Sequence, residues 1–153
     1  MLNKEKLEKF LLKARTKTYV GKGGKVKSVF GGSKQLEYQE GNWLYRDIYF
    51  NGPKIFMGIE TVYFKEKAVF AMSYFGDYSG MTEREIDKIL RKALMVNWQV
   101  ARTWKIVNWQ ENGYQYSCVP AFKGSIEKMA GKEEILEKGK QVYQFFYAGG
   151  ILN

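Results

Sequence analysis

The chain of 153 residues is 45% hydrophobic, which is enough to bury a core without disulfide bonds, so we expect one domain spanning residues 1–153. Its single cysteine, Cys118, excludes an internal disulfide and favours a reducing, cytoplasmic location, and the short apolar runs predict no insertion into a membrane. The formal net charge of +9 is concentrated in residues 1–34, where ten Lys or Arg residues stand against two Glu residues.

The first predicted element is an amphipathic helix. Leu7, Phe10, Leu11 and Ala14 follow the i, i+3, i+4, i+7 spacing of one helix face. Asn3 precedes this pattern and is suited to act as the N-cap, because its side chain can accept a hydrogen bond from the first helical turn. We therefore expect a helix that packs one face against the core.

A basic, glycine-rich segment follows this helix. Its six cations are Lys13, Arg15, Lys17, Lys22, Lys25 and Lys27. One interpretation is a solvated helix end with a mobile loop over residues 21–28, in which Tyr19 and Phe30 turn inward. The other is a contact for phosphate or for an acidic protein surface. Weak, nonspecific binding to polyanions is expected in either case.

Four antiparallel strands are predicted next, because short turns separate runs rich in aromatic and β-branched residues. They cover residues 35–39, 43–50, 54–64 and 68–75. A second amphipathic helix follows, with the same apolar spacing at Ile86, Ile89, Leu90 and Ala93 and a capping box at Thr82 and Glu85. Four further strands are predicted at residues 103–109, 114–122, 125–136 and 140–148.

The two halves of the chain also resemble each other in sequence. Residues 58–76 align with residues 131–149 without a gap, and seven of the nineteen positions are identical. We therefore predict an α+β fold in which a helix-plus-four-strand unit is duplicated, as residues 1–76 and 82–150, to form a curved antiparallel sheet with two helices. Glu60 and Tyr74 would then occupy positions equivalent to Glu133 and Tyr147.

Several of these segments resemble a known family. They are YQEGNWLYRD at 38–47, FMGIETV at 56–62, VFAMSYFG at 69–76 and VYQFFYAGG at 142–150. Together they resemble a bacterial domain family of unknown function whose members occur alone or fused C-terminal to XRE-type helix-turn-helix regulators. Some relatives are labelled negative effectors of extracytoplasmic-function sigma factors. The resemblance covers residues 10–150, implies a link to transcriptional regulation and supplies no catalytic residues.

The residue inventory excludes several enzyme classes. The chain contains no histidine and one cysteine, which removes Ser-His and Cys-His nucleophile pairs, histidine-containing zinc sites and thiolate clusters. The glycines at 21, 23 and 24 match neither a dinucleotide-binding pattern nor a phosphate loop. We therefore expect no cofactor, no metal site and no enzyme activity.

The remaining chemical candidates are carboxylates among aromatic residues. Strand alternation places Trp43, Tyr45 and Asp47 on one face of their strand, and it places Glu60 and Glu133 in apolar rows. A buried carboxylate must be paired, protonated or bound to a ligand, since burying an isolated charge is costly. One possibility is a structural hydrogen bond to a tyrosine such as Tyr74 or Tyr147. The other is a concave ligand pocket, lined by Trp43, Tyr45, Asp47, Glu60, Tyr74, Tyr114, Tyr116, Glu133 and Tyr147.

Three functions remain open from the sequence. The first is a non-enzymatic regulatory or small-ligand-binding module, whose aromatic walls and carboxylates would suit a small amphipathic or cationic compound, or which would act on a regulatory protein partner. The alternative is a protein- or nucleic-acid-binding module that uses the basic N-terminal segment. The third is a small carboxylate-dependent enzyme.

Overall fold

The computed structural model describes residues 2–152, which form two helices and nine strands. Helix α1 spans Lys4–Lys17 and helix α2 spans Glu83–Val96. The strands are β1 Lys25–Val26, β2 Lys34–Glu40, β3 Trp43–Asn51, β4 Ile55–Phe64, β5 Lys67–Asp77, β6 Val107–Glu111, β7 Tyr114–Pro120, β8 Met129–Glu137 and β9 Lys140–Ile151.

All nine strands belong to one antiparallel sheet with the order β1-β2-β3-β4-β5-β9-β8-β7-β6. Neighbouring strands of the sheet are consecutive in the chain, with one exception at the centre. There β5 pairs with β9, from Phe70↔Ile151 to Asp77↔Gln144. This pairing makes the sheet continuous from one edge to the other, because it joins the meander β1–β5 to the meander β6–β9.

The predicted duplication of a helix-plus-four-strand unit is wrong. The chain before α2 supplies five strands and the chain after it supplies four, and the two sets are hydrogen-bonded into a single sheet. The similarity between residues 58–76 and 131–149 therefore does not mark two equal structural units. The fold is α+β only in a loose sense, since a large sheet carries two helices of 14 residues each.

Both helices pack on the same face of this sheet, which we call the inner face. Leu7 and Leu11 of α1 and Leu90 of α2 are fully or almost fully buried in one apolar cluster with Tyr45 and Phe70 from the strands. The predicted caps are confirmed. Asn3 Oδ1 accepts a hydrogen bond from the Lys6 amide, and Thr82 and Glu85 form a reciprocal capping box at α2. The helix starts are thus determined locally.

The opposite, outer face of the sheet is open. Phe50, Met57, Ile59, Val119 and Phe146 lie there and are between 43 and 48% exposed. All buried side chains of α2 belong to the inner-face cluster, and so do those of α1 apart from Leu12 and Arg15. Any enclosed site must therefore lie on the inner face, between the sheet and the helices.

The basic segment differs from the expected mobile loop. Lys25–Val26 form strand β1, which pairs with Gln35 and Leu36 of β2. Tyr19 is half-buried, as expected, but Phe30 is 58% exposed, so its predicted inward orientation is wrong. Within residues 2–152, neither helix is long and apolar enough to cross a membrane.

Candidate functional site

Two glutamates on the inner face are buried and hydrogen-bonded, as the sequence predicts. Glu60 lies on β4 and Glu133 on β8, and at most 4% of either residue is exposed. Their partners are not the predicted tyrosines. Tyr74 donates instead to Asp47 and Tyr147 donates to the carbonyl oxygen of Thr103. Each glutamate is neutralised by an arginine.

Glu60 is held by α1 and β3. The Arg15 guanidinium contacts both carboxylate oxygens, with an Nε–Oε2 distance of 3.1 Å, and the Tyr45 hydroxyl donates to Oε2 at 2.7 Å. A fork of two donors onto two acceptors is the strongest way to pair a buried carboxylate. Glu60 is therefore satisfied within the fold, and it does not need a ligand.

Glu133 accepts hydrogen bonds from one arginine and two tyrosines. Arg102 donates from Nη2 to Oε1 at 2.9 Å and from Nε to Oε2 at 3.1 Å. Tyr116 and Tyr143 donate to the same carboxylate at 2.6 and 2.7 Å. Burial is the largest influence on both tyrosines and raises the pKa of each well above its ordinary value, so both hydroxyls keep the protons that they donate.

A single contact joins the two carboxylate networks. Arg15 Nη1 donates to the main-chain oxygen of Arg102 at 3.1 Å. Arg102 adopts the left-handed conformation with φ +56°, which is unfavourable for a residue with a side chain. Its ion pair with Glu133 and the bond from Arg15 hold it there. Its guanidinium also lies 4.1 Å from the centre of the Phe145 ring.

Asp47 differs from both glutamates because no arginine in the described part of the chain is hydrogen-bonded to it, and the charges of Arg102 and Arg15 lower its pKa less than burial raises it. It is only 6% exposed and accepts a hydrogen bond of 2.6 Å from Tyr74, but it forms no ion pair with any Lys or Arg of residues 2–152. Burial raises the pKa of Asp47 from 3.8 to about 7, while the bond from Tyr74 opposes the rise. The carboxyl is thus poised between its neutral and charged forms near neutral pH.

Asp47 borders a cavity of about 490 Å³ on the inner face. One wall is formed by strands β3, β4 and β5, and the other by the end of α1, the inner side of α2 and the segment that follows α2. The floor contains the Arg15–Glu60 pair and Arg102. A volume of this size is typical of sites for small organic ligands.

Aromatic rings line the cavity on the Asp47 side. Phe56, Tyr74 and Tyr78 all border it, and the Phe56 ring lies 6.1 Å from the Tyr74 ring and 6.2 Å from the Tyr78 ring, centre to centre. Trp98, which follows α2, borders the same space. An acid flanked by ring faces is the usual environment for an organic cation in proteins.

Cations border the other side of the cavity. Arg84 and Arg91 come from α2 and Lys34 comes from the start of β2. Arg91 Nε donates to Asp87, whose second oxygen is paired with Lys22 at 2.7 Å. Arg84 and Lys34 form no ion pair among the described residues, and both are exposed. Glu83 and Asp87 border the same side, so the three cations Lys34, Arg84 and Arg91 leave it with an excess of one positive charge.

The cavity contains part of the predicted pocket. Four of the nine predicted lining residues border it, namely Tyr45, Asp47, Glu60 and Tyr74. The remaining five do not line it, and they have structural contacts instead. Trp43 packs between Phe10 and Phe64, while Tyr116, Glu133 and Tyr147 are buried and hydrogen-bonded. Tyr114 lies at the start of β7, where it pairs with Glu137.

Sequence reasoning missed three arginines of this region. The charge pattern places Arg15 in the basic segment, although Leu7, Leu11 and Arg15 follow the i, i+4, i+8 spacing of one helix face. Arg91 had a weaker signal, its i, i+4 spacing from Asp87. Arg102 lies in an irregular segment, where no periodicity indicates burial.

Comparison with known proteins identifies a family. The model of a domain of unknown function, DUF5680, matches residues 47–152. The chain belongs to the DUF5680 family. No curated protein and no solved structure matches the chain.

The matched region of this DUF5680 domain includes Asp47, Glu60, Tyr74, Arg91 and Arg102, and it omits α1 with Arg15. Most of the cavity thus comes from the family region, while one arginine of its floor lies before it. Among residues 2–152, no group of three or more Cys, Asp or Glu side chains could hold a metal ion.

Proposed function

We propose that this DUF5680 domain is a binding module for a small organic cation with an apolar body. The observation that carries the proposal is Asp47, a buried carboxyl that lies at the edge of a cavity and forms no ion pair with a cation of residues 2–152. Glu60 and Glu133 establish the contrast, because each is buried with an arginine of its own. A ligand amine would give Asp47 the partner that the fold gives to the other two.

The energetic reason is the cost of burying charge. An ionised carboxyl without a partner is strongly destabilised in an apolar setting, and burial correspondingly raises the pKa of Asp47 to about 7. A bound cation lowers that pKa again, so binding releases a proton from the carboxyl whenever it begins protonated. Affinity for a permanent cation should therefore rise as the pH increases through 7 and level off above it.

The aromatic wall sets the shape of the ligand. Phe56, Tyr74 and Tyr78 give ring faces on which alkyl or aryl groups next to a cationic nitrogen can pack. A desolvated cation–ring contact contributes about 2 kcal/mol or more, comparable with a charged hydrogen bond. A simple inorganic cation would make neither contact well, which favours an organic ligand.

The proposal is for binding without catalysis. Glu60 and Glu133 are tied up in ion pairs, and the chain has no histidine to serve as a proton-transfer partner for Asp47. The resemblance to domains fused to XRE-type regulators fits a regulatory role, in which ligand occupancy would be transmitted to a transcription factor in the cytoplasm. That part of the proposal depends on the resemblance alone.

Titration with two matched probes tests the proposal. Benzylamine and benzyl alcohol have similar shapes, but only the amine carries a charge at neutral pH. We expect benzylamine at pH 8 to shift the backbone amide NMR signals of residues around the cavity at lower concentrations than benzyl alcohol does. In Asp47→Asn that preference should disappear, since the amide cannot pair with a cation.

Glu127→Gln is the matched control. It also removes one carboxylate, but Glu127 is exposed, pairs with Lys4 and does not border the cavity. The control should keep the preference of the unmodified chain for benzylamine. Equal responses to both probes in the unmodified chain would contradict the proposal, as would a preference that survives Asp47→Asn.

The runner-up is binding to a polyanion through the basic segment, and the contacts of that segment favour it less. Arg15 is buried against Glu60, Lys13 pairs with Glu40 and Lys22 pairs with Asp87. Three of the six cations are thus already neutralised by the protein. The exposed Phe30 is the one local ring available for base stacking.

A further inference from the structure

We infer that the ligand carries an acidic or carbonyl group in addition to its cationic nitrogen, so that it bridges Asp47 at the aromatic wall and Arg91 on α2. This inference rests on the proposed function, and it names the second half of the ligand. Asp47 and Arg91 both border the cavity of about 490 Å³. They belong to opposite walls, since Asp47 is on β3 and Arg91 is on α2.

The Arg91 guanidinium is incompletely satisfied. Its Nε donates to Asp87, and its Cζ atom lies 4.4 Å from the centre of the Tyr19 ring. Its Nη1 is buried but contacts no hydrogen-bond acceptor within residues 2–152. A buried donor without an acceptor costs about 1–3 kcal/mol, and more for a charged group. Because Arg91 borders the cavity, a ligand oxygen that reaches Nη1 would remove that cost.

Arg15 and Arg102 border the same cavity, and each donates hydrogen bonds to both oxygens of a carboxylate. Arg15 donates to both oxygens of Glu60 and to a main-chain oxygen, and Arg102 donates to both oxygens of Glu133. Arg91 has one carboxylate oxygen, from an Asp87 that it shares with Lys22. Among these three arginines, Arg91 is therefore the one with capacity for an external acceptor.

The charges around Arg91 favour an anion over a neutral carbonyl. Arg84 and Lys34 border the same cavity, are exposed and form no ion pair with described residues. Glu83 is the one other acid on this side besides the shared Asp87. Excess positive charge at the rim would attract the acidic end of a ligand, while the amine enters towards the buried Asp47.

The resulting ligand class is an amphipathic zwitterion: an amine and an acid separated by an apolar, preferably aromatic, body. The amine of the ligand would contact the Asp47 carboxyl and the neighbouring rings. The acid of the ligand would contact Arg91 and the cations near it. Such a ligand fills the cavity in one orientation only, because reversing it would place like charges together at both ends.

Two pairs of probes test the inference. Benzylamine is compared with 4-(aminomethyl)benzoate, and 4-phenylbutylamine with 4-(4-aminobutyl)benzoate, so that each pair differs by one carboxylate and the two pairs differ in length. Dissociation constants are measured by NMR titration of the whole chain at pH 8 and low salt. We expect the carboxylate to tighten binding about tenfold in at least one pair, as one new charged hydrogen bond would.

Arg91→Gln and Arg84→Gln test where the gain arises. In Arg91→Gln the affinity ratio of zwitterion to amine should fall towards one, and in Arg84→Gln, an exposed position, it should fall partly. Lys132→Gln is the matched control, because Lys132 lies outside the cavity lining and pairs with Glu134. It should leave the ratio unchanged.

The outcomes separate the inference from the proposed function. If both amines bind and depend on Asp47 while neither carboxylate adds affinity, the inference is overturned and the binding of organic cations stands. If neither amine binds, the proposed function falls and the inference falls with it. A tenfold gain that persists in both arginine variants would also overturn the inference, because the acid would then bind elsewhere.

Discussion

Asp47, Glu60 and Glu133 are three buried acids on one face of one sheet, and their environments give them different properties. The two glutamates have long side chains that reach an arginine, and tyrosine hydroxyls complete their shells. Asp47 accepts a hydrogen bond from one tyrosine and forms no ion pair with described residues, so desolvation outweighs the charges of Arg102 and Arg15 and raises its pKa to about 7. Perturbed carboxyls in cavities are typical of functional sites.

The first prediction concerns the pH dependence of stability. The folded chain holds the Asp47 proton more tightly than the unfolded chain does, since the pKa rises from 3.8 to about 7. The contribution of this proton to the free energy of unfolding is fully present below the pKa of Asp47 in the unfolded chain. It is lost as the pH rises through 7, by about 4 kcal/mol at most. Asp47→Asn should therefore be more stable than the unmodified chain at pH 8 and similar to it at pH 4.

Urea unfolding at both pH values measures this difference. The asparagine keeps an acceptor for the Tyr74 hydroxyl, so the variant tests charge rather than loss of a hydrogen bond. An asparagine variant that lost stability at pH 8 would show that Asp47 is ionised and satisfied in the free protein.

The second prediction concerns the ion pair of Glu60. Glu60→Leu leaves Arg15 buried without a carboxylate, which should cost about 3–5 kcal/mol of the free energy of unfolding. Glu60→Ala should cost still more, because it also leaves a cavity. Combining Glu60→Leu with Arg15→Met should recover most of the loss, since it removes both charges together.

Chemical denaturation of the single and double variants gives the coupling free energy between the two residues. Lys132→Gln and Glu134→Gln form a matched pair, because their ion pair is 3.0 Å long but more exposed to solvent. Their coupling should stay within about 1 kcal/mol. Equally small coupling for the Arg15–Glu60 pair would contradict the buried contact.

Asp47 and Tyr74 lie on β3 and β5, which are separated in the sheet by β4. Their contact therefore crosses β4. On β4, Gly58 pairs with Tyr49 on one side and with Tyr74 on the other. A Cβ atom at Gly58 would overlap the carbonyl oxygen of Ile48 and would lie 2.6 Å from the Tyr74 hydroxyl. The glycine leaves room for Tyr74 to reach across β4 to Asp47.

The third prediction follows from that close approach. Gly58→Ala should destabilise the fold by about 1–3 kcal/mol through overpacking and displace the Tyr74 hydroxyl from Asp47. Gly31→Ala is the control, because a Cβ atom there would meet nothing within 4 Å. Thermal unfolding compares the two variants. Equal melting temperatures would show that β4 adjusts without strain.

The sequence predicted most elements because their signals are local. Asn3, Thr82 and Glu85 mark the helix starts by short-range hydrogen bonds, and alternation marks the longer strands. Strand β1 was missed, since the two residues Lys25–Val26 are too few to show a period. Alternation gives the strand face of Trp43 but not its packing against Phe10 of α1.

The arrangement of the sheet required non-local information. Similarity between residues 58–76 and 131–149 suggested two equal units, whereas long-range pairing of β5 with β9 merges all strands into one sheet. The ion pairs of Glu60 and Glu133 also join residues far apart in sequence, 45 and 31 positions from their arginines. Local patterns predict that a carboxylate is buried, but they do not identify its partner.

The net charge of +9 predicts that the protein attracts polyanions, but the attraction needs no ordered binding surface. Of the basic segment, Lys17, Lys25 and Lys27 form no ion pair with described residues. They are exposed but belong to different elements, at the end of α1 and around β1. Charge alone should give weak association that does not depend on base sequence.

The fourth prediction is tested by electrophoretic mobility shift with duplex DNA. Binding should be detectable at low salt and lost by about 150 mM, because it depends on counterion release. Changing Lys17, Lys25 and Lys27 to Gln should abolish the low-salt shift, whereas Asp47→Asn should not. Tight, sequence-selective binding at about 150 mM salt would make the basic segment a nucleic-acid site and would reverse the order of the two functions.

The pairing of β5 with β9 has a consequence for biosynthesis. Residues 4–77, which contain α1 and strands β1–β5, are synthesised before β9, which follows about seventy residues later, a delay on the order of ten seconds. Strand β5 therefore lacks the partner of one edge during that time. During that interval the nascent chain carries an open edge next to apolar side chains, which is the usual template for aggregation. We therefore expect molecular chaperones to bind mainly to the first half of this protein.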